Sequence, residues 1–151
     1  MTGKVFLVGA GPGDPSLITL RAVELIKKAD VVLYDRLVSK KILSMIPKKA
    51  ETVYVGRAVG DDYKHQNDTN DLMVKYAKIK RNIVRLKGGD PMIFGRGGEE
   101  AEYLKKHKIQ FEIVPGITSG IGSATYAGIP LTHRKFASSV VFVTGHEDFE
   151  K

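Results

Sequence analysis

RLKGGDPMIFGRGGEE, residues 85–100, places five glycines, a Gly-Asp-Pro turn and two arginines directly after a short apolar run, 82–86. Glycine loses more conformational freedom on folding than any other residue. A cluster of glycines therefore belongs where backbone turns tightly or lies against a ligand. A second Gly-Asp-Pro turn stands in VGAGPGDP, residues 8–15, again at the end of an apolar run. Two glycine loops at two strand exits predict a small-molecule site at one edge of an α/β sheet.

The rest of the chain fits that frame. Strands are predicted over 4–8, 31–34, 52–55, 82–86, 110–114 and 138–144, several of them continuous apolar runs suited to burial on both faces. Helices are predicted between them. One over 20–29 puts Leu20, Val23 and Ile26 on one face, and 68–79 carries a weaker amphipathic pattern. A third, 98–108, opens on Glu99 and Glu100 and closes on lysines, matching the helix dipole at both ends. The alternation predicts an α/β fold, a mostly parallel sheet with helices on both faces. The polar stretch 56–70 is read as the longest irregular loop and a candidate lid. The expected organisation is one α/β domain over 1–138, followed by the first strand of a second domain over 139–151.

Composition narrows the function. The chain has 151 residues, 42% hydrophobic and 27% charged, as an ordinary globular domain has. It has no cysteine, which removes disulfides, thiolate catalysis and cysteine metal sites and fits a reducing, cytoplasmic setting. No metal site is expected. No apolar run approaches the ~20 residues of a membrane helix. The net charge of +7 suits an acidic partner, although many lysines stand in pairs near helix ends, where they complement the dipole. No nucleic-acid motif is present, and few aromatics stand near the lysine clusters.

The glycines Gly9, Gly11 and Gly13 invite a dinucleotide reading, but Asp14 stands where G-x-G-x-x-G needs its last glycine. Pro12 and Pro15 also remove backbone donors. Asp14 and Asp90 have a plain reading as turn or cap residues. A third stretch, VPGITSGIGSATYAGIPLTHR (114–134), holds a Pro-Gly turn, a helix start at Thr118 or Ser119, and a helix rich in small residues. Helix propensity disfavours those glycines, so close approach by a ligand or another chain is the expected gain.

Together with ITLRA, YDRLVS and VTGHE, these motifs resemble, in order and over nearly the whole chain, the tetrapyrrole methylase family. The likeness is strongest to members that methylate uroporphyrinogen III. It implies two α/β domains with S-adenosyl-L-methionine in the cleft between them and S-adenosyl-L-homocysteine as product. It also implies a homodimer that methylates uroporphyrinogen III at two carbons to precorrin-2, for sirohaem and corrinoid synthesis. Cofactor contacts carry over to Pro12, Gly88, Gly89, Asp90, Ile93, Thr118 and Ser119.

The chemistry agrees. Eight substrate carboxylates need a basic cleft, for which Arg36, Arg96, His133 and Arg134 are the candidates. Methyl transfer from a sulfonium needs positioning and one base rather than a covalent nucleophile. Asp35, in Tyr34-Asp35-Arg36 at a strand exit, is the candidate base. Arg57 is the second catalytic candidate, at a place where the family carries a lysine proposed as proton donor. Arginine stays protonated, so carboxylate binding suits it better than proton transfer. Alternatives are a methylase of a later corrin intermediate, and a fragment that binds ligand or dimerises without catalysis.

Overall fold

Val5, Leu7, Ile83 and Leu33 point to one side of a sheet, and Phe6, Val8, Val84 and Val32 to the other. Side chains alternate along a strand, so runs that are apolar at every position bury both faces. The computed structural model describes residues 3–56, 64–79 and 81–144, and of 64–67 the backbone alone. Five strands form one sheet: β1 Lys4–Gly9, β2 Val31–Tyr34, β3 Glu51–Tyr54, β4 Asn82–Lys87 and β5 Gln110–Val114. The order is β3-β2-β4-β1-β5, and every pair is parallel. The expected mostly parallel sheet is thus wholly parallel. All strand exits lie on one edge, and β4 inserts between β2 and β1 after the chain has moved outward to β3. That reversal is where open α/β sheets bind ligands.

Helices cover both faces. Helix α1 (Leu20–Lys28) and the short α2 (Lys40–Leu43) pack on one face; α3 (Lys64–Lys78) and α4 (Gly97–Lys106) pack on the other. Helix α5 (Ser119–Tyr126) follows β5. Thr19 caps α1 by accepting from the Ala22 amide at 3.1 Å, and Lys27 and Lys28 close it.

Four sequence expectations need correction. The buried stripe of α1 is Ala22, Leu25 and Ile26, continued by Ala29, and Leu20 is 90% exposed. Small alanines at both ends of the stripe let the helix lie close to the strands, which a Leu20 face would not. The helix predicted over 68–79 is present as α3 but starts earlier, so that residues 64–67, read only as loop, form its first turn. The short helix α2 was not anticipated; Ser39 starts it by accepting from the Ile42 amide. Residues 138–144, read as a strand, join no sheet among the described residues, and Val141 and Val143 stand exposed. A strand needs a hydrogen-bonding neighbour, and an apolar β-rich run does not supply its own. No helix among the described residues is long and apolar enough to cross a membrane.

Candidate active site

The exits of β1, β4 and β5 meet through glycine backbone. Gly11 and Gly89 exchange backbone hydrogen bonds at 3.1 and 2.8 Å, joining the first and second glycine loops. Gly116, after β5, lies so close that a Cβ on it would sit 2.2 Å from the Gly89 carbonyl oxygen. Gly89 itself has φ +67, the left-handed region that favours glycine. Asp90 ties the same junction. One carboxylate oxygen accepts from the Met92 amide at 2.8 Å and the other from the Gly116 amide at 3.0 Å. Its turn reading is therefore realised, and it also bridges two loops. Asp14 accepts from the Ser16 amide and hydroxyl, both at 2.8 Å, and from the Tyr126 hydroxyl at 3.2 Å. The Ser16 amide, then its hydroxyl, hold the Asp14 carboxyl below its ordinary value.

Two cavities flank this junction. An apolar one of about 270 Å³ is lined by Leu17, Ile93, Ile117, Thr118, Ile121 and Tyr126, with Gly116 and Gly122. Thr118 is buried at the N-cap of α5 but makes no side-chain capping bond, while Ser119 is exposed. Pro12 closes on Gly122, where an added Cβ would lie 3.0 Å from its ring. The second cavity, about 290 Å³, is the more polar of the two and is lined by Asp35, Arg36, Arg85, Lys87, Gly88 and Arg96, with Leu37, Val55 and Phe94 among its apolar walls. The loop after β4 separates the two, with Ile93 lining the first and Phe94 the second. Phe94 and Arg96 both hold positive φ, 51 and 58, each a strained backbone for a non-glycine residue. Arg96 donates to Glu99 at 2.6 Å.

The floor of the polar cavity is a buried ionic network that the sequence reading missed. Arg85 and Lys87 alternate with Ile83 on the face of β4 covered by α3 and α4. Glu100, wholly buried in the first turn of α4, accepts through one oxygen from Arg85 Nε at 3.1 Å and Lys87 Nζ at 2.9 Å. Its other oxygen has no hydrogen-bond partner among the described residues. Arg85 also approaches Asp35 at 3.6 Å, and Asp35 accepts from the Leu37 amide at 3.0 Å. Burial, then the neighbouring Arg85, lower the Lys87 pKa, while Glu100 opposes the shift. The signal was present in NIVRLK, where charges take every second place at the end of an apolar strand.

The expected site residues divide accordingly. Asp35, Arg36, Gly88 and Arg96 line the polar cavity, Ile93 and Thr118 the apolar one, and Pro12, Gly89 and Asp90 frame the glycine junction. His133 and Arg134 line neither; they stand in an exposed turn where His133 stacks on Phe136. Arg57 lies outside the described residues. No cluster of three metal-ligating side chains forms among the described residues.

A parallel sheet with glycine loops meeting over its strand exits is the architecture of an α/β ligand-binding domain. The family model of the Tetrapyrrole (Corrin/Porphyrin) Methylases matches residues 4–151, and the chain belongs to that family. The chain is 56% identical over 153 residues to the uroporphyrinogen-III C-methyltransferase of Bacillus subtilis, covering 99% of this chain and 60% of that protein. It is 58% identical over 145 residues to the siroheme synthase of Nitrosomonas europaea, covering 96% of this chain and 30% of that one. A crystal structure of the uroporphyrin-III C-methyl transferase of Thermus thermophilus complexed with S-adenyl homocysteine superposes with a TM-score of 0.75 at 48% identity. That match covers 91% of this chain and 53% of the other, so the chain spans little more than half the length of that relative.

Proposed function

We propose that this chain forms the substrate and cofactor wall of an S-adenosyl-L-methionine-dependent C-methyltransferase acting on uroporphyrinogen III. The observation that carries the reading is the pairing of an apolar cavity with a cation-lined one across the single loop 91–96. A cofactor with an adenine ring and a charged tail suits the first cavity and its glycine rim. At Gly116 an added Cβ would collide with the Gly89 carbonyl, so glycine there lets the loops of the rim pack backbone to backbone. Pro12, Gly88, Gly89, Asp90, Ile93, Thr118 and Ser119 would hold the cofactor, which supplies an electrophilic methyl group when bound. The same proposal assigns 139–151 to the start of a second domain. In its described part, 139–144, the exposure of Val141 and Val143 supports that assignment, and 145–151 lie outside the described residues. A homodimer belongs to the same reading.

The residues of this chain then divide the work. Arg36 and Arg96 hold substrate carboxylates, with Arg57, His133 and Arg134 as further partners. Asp35 accepts the proton that leaves when the substrate carbon is methylated. The Leu37 amide and Arg85 fix its carboxylate at the cavity. Proximity and orientation supply the rest of the rate.

Calorimetric titration with S-adenosyl-L-homocysteine, with NAD in parallel, tests the cofactor assignment. Binding of the homocysteine compound alone supports it, and binding of NAD instead overturns it. If the chain binds neither, the complete protein is titrated, and failure there also overturns it.

A further inference from the structure

We propose that Lys87 is a substrate-contacting residue whose ammonium takes one carboxylate of the tetrapyrrole at the floor of the polar cavity. The inference deepens the functional reading above and rests on it. Lys87 ends β4, is only 4% exposed, and lines that cavity. An ammonium has three N–H donors. Among the described residues Lys87 has one hydrogen-bond acceptor, Glu100 Oε1 at 2.9 Å, and that oxygen is shared with Arg85. Buried donors are matched in native proteins almost without exception, so two open N–H groups beside a cavity mark a place for an acceptor. Among the described residues the cavity is also short of negative charge: Arg36, Arg85, Lys87 and Arg96 line it with one carboxylate, Asp35, while Glu99 and Glu100 of α4 engage Arg96 and the buried pair. An anionic ligand group relieves both deficits. It also restores the charged state that burial disfavours at Lys87.

Lys87 differs from its neighbours in one measurable way. Among the described residues the other three cavity cations are guanidiniums, which hold their proton throughout the accessible pH range. The charged groups facing Lys87 are Arg85 on its own strand, Glu100 from α4 and Asp35 from the exit of β2. Loss of carboxylate binding on the alkaline side therefore reports Lys87.

The test is equilibrium binding of uroporphyrin III, a stable probe with the eight carboxylates, followed by fluorescence on the complete protein. Wild type, Lys87→Arg and Lys87→Met are titrated from neutral pH upward. Wild-type affinity should fall as pH rises toward the ordinary lysine range of about 10.4. Lys87→Arg should bind with no such fall, and Lys87→Met should bind about tenfold more weakly at neutral pH, the size of one charge-assisted contact. If Lys87→Met does not fold, the pH profile of Lys87→Arg carries the test. Binding by wild type with the same pH profile as Lys87→Arg overturns the role of Lys87 and leaves the functional reading intact. No binding of the probe by wild type overturns the tetrapyrrole reading and this proposal with it.

Discussion

Lys87 and Glu100 meet at 2.9 Å inside the fold, one at the end of a central strand and the other in the first turn of the helix covering it. Glu100 is wholly buried, Lys87 keeps only a sliver of exposure at the cavity, and Arg85 shares the same carboxylate oxygen. Removing one member of such a buried group strands the charge of the others. Glu100→Gln should therefore destabilise the fold by about 3 kcal/mol. Adding Lys87→Met should cost less than the sum of the single changes, by roughly 1–3 kcal/mol. Urea unfolding of the four proteins measures this, and strict additivity would show that the two residues do not share their energy.

The same burial predicts a pH effect on stability. The Lys87 pKa is lowered in the fold, so the unfolded chain binds that proton more readily. The contribution of Lys87 should thus improve as pH rises toward the unfolded lysine value of about 10.4 and be lost as pH falls. The difference in unfolding free energy between wild type and Lys87→Met should move in favour of wild type with rising pH. A difference that stays constant through the alkaline range would contradict the assignment.

Two glycines separate close approach from backbone strain. Gly116→Ala pushes a methyl to 2.2 Å from the Gly89 carbonyl, backbone that cannot swing aside. It should cost about 3 kcal/mol and abolish S-adenosyl-L-homocysteine binding. Gly128→Ala meets nothing within 4 Å and has only its φ of +69 to oppose it. It should cost about 1 kcal/mol and leave binding intact. Thermal unfolding and calorimetry on the pair decide this, and equal costs would mean that the loop junction relaxes.

Asp35→Ala in the complete protein should lower kcat by about 10²–10⁴, the usual contribution of a positioned base. Affinity for S-adenosyl-L-homocysteine should stay within about twofold, because Asp35 lines the other cavity. Unchanged turnover would remove Asp35 from the mechanism.

Phe94 is 64% exposed with φ 51, so its backbone is strained with little burial in return. Phe94→Gly should leave stability unchanged or raise it by up to about 1 kcal/mol. It should weaken uroporphyrin III binding, since Phe94 lines the polar cavity. Stability and binding moving down together would show that the ring is needed for folding rather than for the site.

The parallel α/β fold was legible because burial on both sheet faces writes itself into continuous apolar runs such as KVFLVG and VVLY. Cap chemistry was equally local: Asp14 meets Ser16, two residues on. Reading failed where a neighbour chooses between alternatives. The apolar pattern of α1 permits a face through Leu20 or one through Ala22 and Leu25, and docking on the sheet selects the second. Residues 138–144 have strand composition, yet they join no sheet among the described residues.

The glycine loops, their Gly-Asp-Pro turns and the family they belong to are properties of contiguous residues, and the chain announces them without folding. The cavity floor is of another kind. Arg85 lies beside Asp35 because β4 enters the sheet next to β2, in the register that pairs Leu33 with Arg85. Asp90 reaches the Gly116 amide across 26 residues because β1 holds β4 and β5 on its two sides. Local sequence sets backbone preference and the period of burial. Which distant charges share one dry pocket depends on strand order and register, and those are settled by the packing of the whole sheet.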